Sequence, residues 1–435
     1  MIFKNILLLS LAMASFISCT SNTSGVKATT TVSAIVYSDC EDLVCNFRKL
    51  FKYDLATGVN SIIPGTYEVT NYGYDNVTML PSYNGVIYFE GGAQNGSEYE
   101  LWKYDLRTNT VSFVADLYTG NNFGGLDFSR GTAFIGSKLY FNAQDATNGY
   151  ELWVYDTTLA VSATNPKMVF NGTTAVSPTG LTAINGKLYF NCTTTSDVEL
   201  CEYDPNTPDS VSSTLSGATN PKFTEIRTTG PSYPYYFVGI NGFVYFRATT
   251  DGSNYEVFKY DGTTATIVTE ADTSGSASSQ PEGLKAQGNK LVYISSDALG
   301  DRGLYTYDTS TPLVNATLID LCVSCNEDVE EIAVTATSIY AAAIGASNYD
   351  EIFEVTGNSS RVISPLTTGF YPTYLRILGG DLYFLGFDPL ATNNNGYAYV
   401  FKPTEAYNVG GVNPYAFNTN DFDEPSDFAL VQYSL

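Results

Sequence analysis

Residues 138–156, KLYFNAQDATNGYELWVYD, decide the fold, because variants of this stretch recur along the whole chain. It joins an aliphatic-Tyr-Phe strand to an acidic-Leu-aromatic strand. The tyrosine of the first strand returns every 43 to 56 residues, at Tyr37, Tyr88, Tyr140, Tyr189, Tyr245, Tyr293, Tyr340 and Tyr383. A period near 50, rich in short β segments and without helical periodicity, predicts a β-propeller.

Turn signals divide each period into four antiparallel strands. In the fourth period we expect strands at 180–184, 187–192, 199–203 and within 212–223, with Asn185-Gly186 as a tight hairpin turn. Eight such periods predict one all-β domain over 32–435, an eight-bladed propeller. A seven-bladed ring, with the degenerate last period outside it, is the alternative. The unassigned stretch 428–433, FALVQY, is predicted to complete the first blade and so close the ring.

The third strand of the repeat carries a family resemblance. Glu100-Leu101-Trp102 and Glu151-Leu152-Trp153, together with Asp261-Gly262-Thr263, resemble the ELWxxDGT repeat. The resemblance implies a bacterial cell-surface propeller and provides no catalytic residues to transfer. A Glu or aromatic residue needed once per blade is predicted to serve blade packing, or to pair a carboxylate with a turn amide.

The N-terminus has the pattern of an export signal. Lys4 precedes an apolar run from Ile6 to Ile17, which is too short to span a bilayer and ends at Ser18-Cys19. This resembles a bacterial lipoprotein signal, which implies a signal peptide over 1–18, a lipidated (palmitate-bearing) Cys19 and a tether over 19–31. The expected location is the outer membrane or cell surface, with membrane contact only through the anchor. An ordinary secretory signal with an incidental cysteine is the alternative.

The cysteine count agrees with export. Without Cys19, six cysteines remain in three sequence-near couples: Cys40 with Cys45, Cys192 with Cys201, and Cys322 with Cys325. Such couples are typical of disulfides in exported proteins. The Cys-x-x-Cys couple lacks both the βαβ context of a redox motif and further zinc ligands, so it is also predicted to be a disulfide.

Composition excludes several classes of function. The chain has 435 residues, 45 acidic and 21 basic side chains, a net charge of −24 and no histidine. The negative charge argues against nucleic acids as partners. The absence of histidine excludes Ser-His-Asp and Cys-His catalysis, HExxH zinc sites and haem ligation by histidine.

Binding residues are expected in the loops that join the second strand to the third, and the fourth strand to the next blade. Both sets open on one side of the ring, and their tyrosines, amides and carboxylates suit sugar recognition. The candidates are Tyr72, Tyr74, Asp75, Phe123, Tyr233, Tyr235, Tyr371 and Tyr374. The alternative is that these rings only pack at the start of the innermost strands. No cofactor is expected; the acidic runs 326–331 and 421–427 could hold calcium, or could simply be solvated.

Three hypotheses of function follow. The first is a non-enzymatic envelope lipoprotein whose propeller binds a glycan or a surface protein through its long loops. The second is a hydrolase or lyase that acts on glycans with two carboxylates, which in such enzymes lie about 5–10 Å apart. This chemistry needs no histidine. The third is a structural scaffold of the envelope.

Overall fold

A computed structural model describes most of the chain beyond residue 30. The described residues are 31–40, 48–66, 80–92, 99–118, 125–145, 147–170, 176–194, 197–210, 214–273, 279–297, 299–322, 327–345, 349–364, 371–387, 396–405, 414–418 and 426–434. None of them belongs to a helix with the length and hydropathy needed to cross a bilayer. The predicted signal peptide, most of the tether, and Cys19 lie outside the described residues.

The described chain forms eight four-stranded antiparallel sheets, which confirms the predicted eight-bladed propeller and rules out the seven-bladed alternative. Blade I contains β1 (Thr31–Cys40), β2 (Arg48–Asp54) and β3 (Asn60–Ile62). Blades II to IV follow with β4 (Ser82–Tyr83), β5 (Val86–Gly92), β6 (Tyr99–Asp105), β7 (Thr110–Ala115), β8 (Thr132–Ile135), β9 (Lys138–Asp145), β10 (Gly149–Asp156), β11 (Lys167–Met168), β12 (Thr179–Ile184), β13 (Lys187–Thr193), β14 (Val198–Tyr203) and β15 (Lys222–Thr224).

Blades V to VIII repeat the arrangement. Their strands are β16 (Tyr235–Ile240), β17 (Phe243–Thr249), β18 (Tyr255–Tyr260), β19 (Ala265–Ile267), β20 (Glu282–Gln287), β21 (Lys290–Ser296), β22 (Arg302–Asp308), β23 (Thr317–Ile319), β24 (Val329–Val334), β25 (Ser338–Ile344), β26 (Asp350–Thr356), β27 (Ser359–Val362), β28 (Thr373–Leu378), β29 (Asp381–Phe387), β30 (Gly396–Phe401) and β31 (Tyr415–Asn418). Single 3-10 turns occur at Phe128–Arg130, Leu215–Gly217 and Thr269–Ala271.

The C-terminal strand closes the ring as predicted. β32 (Ser426–Ser434) pairs antiparallel with β1, from Thr31 opposite Ser434 to Ser38 opposite Ser426, and becomes the innermost strand of blade I. The first blade is therefore built from both ends of the described chain. This pairing leaves blade I with the same four strands as its neighbours and covers the inner edge of β1.

Hydrophobic contact between neighbouring blades forms the core. The buried side chains of the described residues fall into eight clusters, one at each interface between consecutive blades. At the last interface, Tyr383 and Leu385 of blade VIII pack against Ile35 and Tyr37 of blade I, together with Phe428 of β32. Each sheet thus buries both faces, which explains why the strands read as runs of Val, Leu, Tyr and Phe.

The repeated tyrosines meet across these interfaces. The Tyr of the second strand packs on the Tyr of the third strand in the next blade, with ring centroids 5.8 Å apart for Tyr140 and Tyr203 and 6.4 Å apart for Tyr189 and Tyr260. Between blades VI and VII, valine replaces tyrosine on both sides of this contact. Val292 and Val355 occupy the two positions and belong to one core cluster. The tyrosine of the second strand and the tyrosine of the third strand are therefore the two sides of one contact between neighbouring blades.

Register corrects the sequence repeat at two places. Tyr189 lies opposite Glu202, whereas Tyr37 and Tyr293 lie opposite Phe51 and Tyr305, one position further along the hairpin. A shift of one residue moves a side chain to the other face of a strand. Tyr293 accordingly has another role: its hydroxyl donates to the carbonyl of Ala271 at 2.8 Å.

The repeated glutamate fixes the loop to the next blade, in agreement with its predicted structural role. Glu100 accepts the backbone N–H of Leu117 at 3.1 Å, and Glu151 accepts that of Val176 at 3.2 Å. In blade IV, Glu199 accepts the N–H of Ile226 at 2.8 Å. Each carboxyl group accepts a hydrogen bond from a backbone N–H of a connection that would otherwise be short of partners.

One predicted disulfide is confirmed. Cys192 and Cys201 are bonded, with Cα atoms 5.8 Å apart, and Cys201 lies opposite Phe190, in the position that Trp153 occupies opposite Phe141. The bond links two strands of one blade where the repeat lacks its large aromatic side chain. Cys322 is also disulfide-bonded. Cys45, Cys325 and the side chain of Cys40 lie outside the part of the chain that the structure describes, so the other two predicted pairings stay predictions.

Candidate functional site

The innermost strands of the blades surround a central channel. Five of them, β12, β16, β20, β24 and β28, line a cavity of about 390 Å³. Its polar and aromatic lining includes Thr182, Tyr235, Tyr236, Lys285 and Arg376, beside aliphatic residues such as Val238 and Ile332. A concave, largely apolar space of this size with a few polar groups has the character of a small-ligand site.

One side of the ring, here called the long-loop face, carries the connections from the second to the third strand and from the fourth strand to the next blade. The first residues of the inner strands lie towards it. The opposite face also carries longer connections between the third and fourth strands of blades III and IV, which include residues 157–166, 204–210 and 214–221. Asn165 and Asn220 order these connections by bonding the backbone of Asp156 and Asp204.

Two tyrosines hold an unusual backbone conformation beside the channel. The inner strands of blades IV, V, VI and VIII share a bulge, whose second residue has positive φ: Gly180 at 67°, Tyr236 at 60°, Gly283 at 60° and Tyr374 at 55°. Glycine adopts this conformation freely, whereas a bulky side chain is strained there by roughly 1 kcal/mol or more. Blades V and VIII therefore keep a ring at a position for which glycine is the easier choice.

The aromatic side chains of blade V form one unit at the channel. The rings of Tyr235 and Tyr236 meet edge to face with centroids 4.8 Å apart. A side chain at Gly180 would approach the Tyr235 ring to 2.9 Å, so the glycine of blade IV leaves room for it. The cavity wall at blade V is consequently aromatic.

Blades VI and VIII contribute basic residues to the cavity lining. Lys285 of β20 and Arg376 of β28 are the charged residues among its described lining. Arg376 donates through Nη1 to Glu331 Oε1 at 2.9 Å, which orients the guanidinium from the neighbouring strand β24. None of the described lining residues is Asp or Glu.

A polar cluster fixes the long-loop face beside blades V and VI. Glu282, the first residue of β20, accepts from Arg302 at 2.8 Å and from Arg247 at 3.3 Å. Arg247 also donates to Gln280 at 3.0 Å and lies 4.2 Å from the ring centroid of Tyr255. These contacts hold the entry of β20 against blade V.

The sequence-predicted binding residues fall into separate surroundings. Tyr235 lines the cavity, and Tyr374 occupies the strained bulge but packs at the interface of blades VIII and I. Tyr233 and Tyr371 are 45% and 46% exposed in the loops before β16 and β28. The remaining candidates, Tyr72, Tyr74, Asp75 and Phe123, lie outside the described residues.

Sequence reasoning missed Tyr236, Lys285 and Arg376. Aligning the inner strands as TGLT, YYFV, EGLK and TYLR, which begin at Thr179, Tyr235, Glu282 and Thr373, would have exposed them. The second position of this alignment is the bulge, and the fourth position lines the cavity in all four strands. The inner strand is the least conspicuous part of the repeat, so the sequence alone does not single out these positions.

Two glutamates of the acidic run 326–331 make structural hydrogen bonds. Glu327 accepts the backbone N–H groups of Leu321 and Cys322 at 2.8 and 3.1 Å, and Glu331 binds Arg376. Among the described residues, no three Asp, Glu or Cys side chains gather in a way that could hold a metal ion. Most of the run 421–427 lies outside those residues, and calcium binding stays an untested prediction.

No protein-family model and no curated protein matches this chain. Among solved structures, the dihydro-heme d1 dehydrogenase NirN in complex with DHE is 13% identical, with a TM-score of 0.52 over 91% of this chain and 74% of that one. A prolyl endopeptidase is 12% identical, with a TM-score of 0.51 over 83% of this chain and 50% of its own, so this chain spans about half its length. At such identities the likeness shows the propeller fold alone.

Proposed function

We propose that this protein is an exported, lipid-anchored propeller that binds a glycan in its central channel from the long-loop face. The observation that carries the proposal is Tyr236, a ring kept at a strained bulge where blades IV and VI use glycine; this residue lines the cavity and also packs at the interface of blades V and VI. Strain retained at a cavity is typical of a binding position.

The lining supports a sugar as the bound group. A pyranose has an apolar face that an aromatic ring covers, and hydroxyl groups that need hydrogen-bond partners. Tyr235 and Tyr236 offer the rings, while Thr182 and the two cations offer polar atoms. A carboxylate-pair hydrolase draws no support from this cavity, because no Asp or Glu is among its described lining residues.

The binding proposal is tested on a glycan array with the mature protein and two variants. Tyr236→Gly removes the ring and relieves the strained φ, so we expect it to fold and to lose most glycan binding. Tyr83→Ala removes a tyrosine that is 37% exposed beside the hairpin turn between the first two strands of blade II, on the face opposite the long loops, and serves as the matched control that keeps binding. Thermal unfolding of both variants checks the fold. An array with no bound glycan, or equal binding by the folded Tyr236→Gly variant, would contradict the proposal; capture of an envelope protein instead would favour a protein partner.

The anchor is proposed from the sequence around Cys19 and is tested separately. In the native bacterial host we expect mass spectrometry of the mature N-terminus to find an acylated peptide that begins at Cys19. The expected location is the outer membrane fraction or the cell surface. Replacement of Cys19 by Ser should release the protein from the membrane fraction without changing its propeller. An N-terminus at another residue, or an unmodified Cys19, would overturn this part of the proposal.

A further inference from the structure

We infer that the face opposite the long-loop face lies on the lipid bilayer, with exposed leucine and valine side chains in the headgroup region and the long loops directed outward. This face, here called the turn face, carries the turns between the first and second strands and the connections between the third and fourth strands of each blade. The inference rests on the proposed lipid anchor at Cys19, and it adds which surface of the propeller contacts the membrane.

The chain enters the propeller on the turn face. β1 begins at Thr31 opposite Ser434, where the other blades have the turn between their first two strands. The N–H of Leu55 donates to the carbonyl of Ser33 at 3.3 Å, so this entry lies beside the connection between the third and fourth strands of blade I. Thr31 is 12 positions after Cys19, and a chain of that length spans at most about 40 Å. An anchor at Cys19 would therefore hold the turn face close to the bilayer.

Exposed aliphatic side chains are concentrated on the turn face. Seven exposed leucine and valine side chains lie outside the strands of the described chain, and six of them belong to connections between a third and a fourth strand. They form one pair in each of blades I, III and VI and are 39% to 88% exposed: Leu55, Val59, Leu159, Val161, Leu313 and Val314. Among the described residues, the long-loop face instead exposes one leucine and three tyrosines: Leu299, Tyr233, Tyr349 and Tyr371. A single exposed apolar residue needs no explanation, whereas three aliphatic pairs on the face that the tether reaches indicate contact with an apolar partner.

The three pairs suit a flat surface of lipid. Blades I, III and VI lie two, three and three blades apart around the ring, so contacts at these places support it on all sides. The connections themselves, residues 55–59, 157–166 and 309–316, contain no charged residue. The aspartate before each connection accepts a backbone N–H of that connection at 2.9–3.0 Å: Asp54 from Ala56, Asp156 from Thr158 and Asp308 from Ser310. The aliphatic side chains can therefore enter the headgroup region without taking a charge of their own connection with them.

Charge decides which kind of bilayer fits. The other connections of the turn face carry charges of both signs, and β9, β13 and β21 each begin with a lysine on this face. The charged residues of those connections are Arg107, Asp204, Asp209, Asp261, Lys402 and Glu405. The whole chain has a net charge of −24, which disfavours an anionic bilayer. We therefore expect apolar contact with zwitterionic lipid, and weak contact suffices because the anchor raises the effective concentration of the bilayer.

Fluorescence quenching in reconstituted vesicles tests this orientation. The mature acylated protein is purified from the membrane fraction and placed in phosphatidylcholine vesicles that contain a spin-labelled lipid as quencher. Leu313→Cys and Leu299→Cys each carry the same fluorophore, at residues of blade VI that are 88% and 85% exposed on opposite faces. We expect lipid to quench the fluorophore at position 313 and to leave the matched control at position 299 unquenched.

Removal of one aliphatic pair tests whether these side chains, and not the tether alone, hold the ring on the lipid. With the fluorophore at position 313, Leu159→Asn together with Val161→Asn should lose most of the quenching. Tyr349→Asn, at an exposed residue of the long-loop face, should keep it. Thermal unfolding of these variants checks the fold. Vesicles that contain phosphatidylglycerol should give less quenching than phosphatidylcholine alone, because the protein is strongly negative.

Cosedimentation of the protein with the vesicles measures the anchor separately. Equal quenching at positions 313 and 299, or full quenching in the folded Leu159→Asn, Val161→Asn variant, overturns the inference while the anchor stands. A fluorophore at position 313 that is shielded from aqueous iodide but not quenched by lipid would indicate a protein partner, such as a second copy of the chain, and also overturns it. Protein that does not cosediment lacks the anchor, and the inference fails with the anchor.

Discussion

Deletion of residues 426–435 is expected to abolish the native fold. The deletion removes β32, the inner strand of blade I, and with it the buried side chains Phe428, Ala429 and Val431. Burial of a large apolar side chain contributes about 1.5–3 kcal/mol, and two core clusters lose members at once. Because a domain is stable by only about 5–15 kcal/mol, we expect the loss of a cooperative thermal transition and aggregation on size-exclusion chromatography.

A rearranged chain provides the control. In β32, Ser434 lies opposite Thr31, so residues 426–434 can be placed before Thr31 through an Asn-Gly turn of the kind found between the first two strands of other blades. This variant lacks the C-terminal strand but restores the same pairing. We expect it to melt close to the intact protein. A deletion variant that melts cooperatively at the wild-type temperature would show that the closure is dispensable.

The architecture could be predicted from sequence because one contact repeats in every blade. Tyr140 and Tyr203 pack together for the same physical reason as Tyr189 and Tyr260. The two tyrosine positions therefore recur together along the sequence, and their recurrence indicates both the blades and the number of blades. The C-terminal stretch was recognisable because blade I lacked an inner strand. Cys201 could be paired with Cys192 because it stands in the position of Trp153.

The site was less readable because it depends on backbone conformation and on residues distant in sequence. Nothing in the composition distinguishes Tyr236, whose φ is 60°, from the other 33 tyrosines of the chain. Lys285 and Arg376 are 91 positions apart and become neighbours of one cavity only when the ring forms. Tyr293 shows the opposite error. It fits the repeat in the sequence, but the strand pairing shows that it lies one residue away from the repeated tyrosine position.

The second large effect concerns pH. Burial raises the pKa of Glu151 from its ordinary value of 4.5 to about 8, although the N–H of Val176 partly opposes the rise. Burial also raises the pKa of Glu199 and Glu256, the equivalent side chains of the next two blades. The fold therefore favours the protonated carboxyl, so this contribution is complete below pH 4.5 and is lost as pH rises through about 8 for Glu151.

Glu151→Gln isolates this contribution, because glutamine keeps the oxygen that accepts from Val176 and cannot ionise. We expect the variant to be about 2–4 kcal/mol more stable than the wild type at pH 9, and nearly equal to it at pH 5. Urea unfolding at both pH values measures the difference. Glu405→Gln, at an exposed residue paired with Lys402, is the control and should leave the pH dependence unchanged. A variant less stable than the wild type at pH 9 would contradict the buried-acid account.

The loss of stability at low pH has a different cause. Because of it, the pH of maximal stability lies on the acidic side of neutrality. The backbone amides of Asn254 and Ser253 lower the pKa of Asp251, and those of Thr264 and Thr263 lower the pKa of Asp261. These turn carboxylates stabilise the fold when ionised, so their contribution is present above pH 3.8 and falls as they protonate. The buried glutamates destabilise the fold as pH rises, so we expect maximal stability between about pH 4 and 6. A Glu151→Gln variant should move that maximum to higher pH.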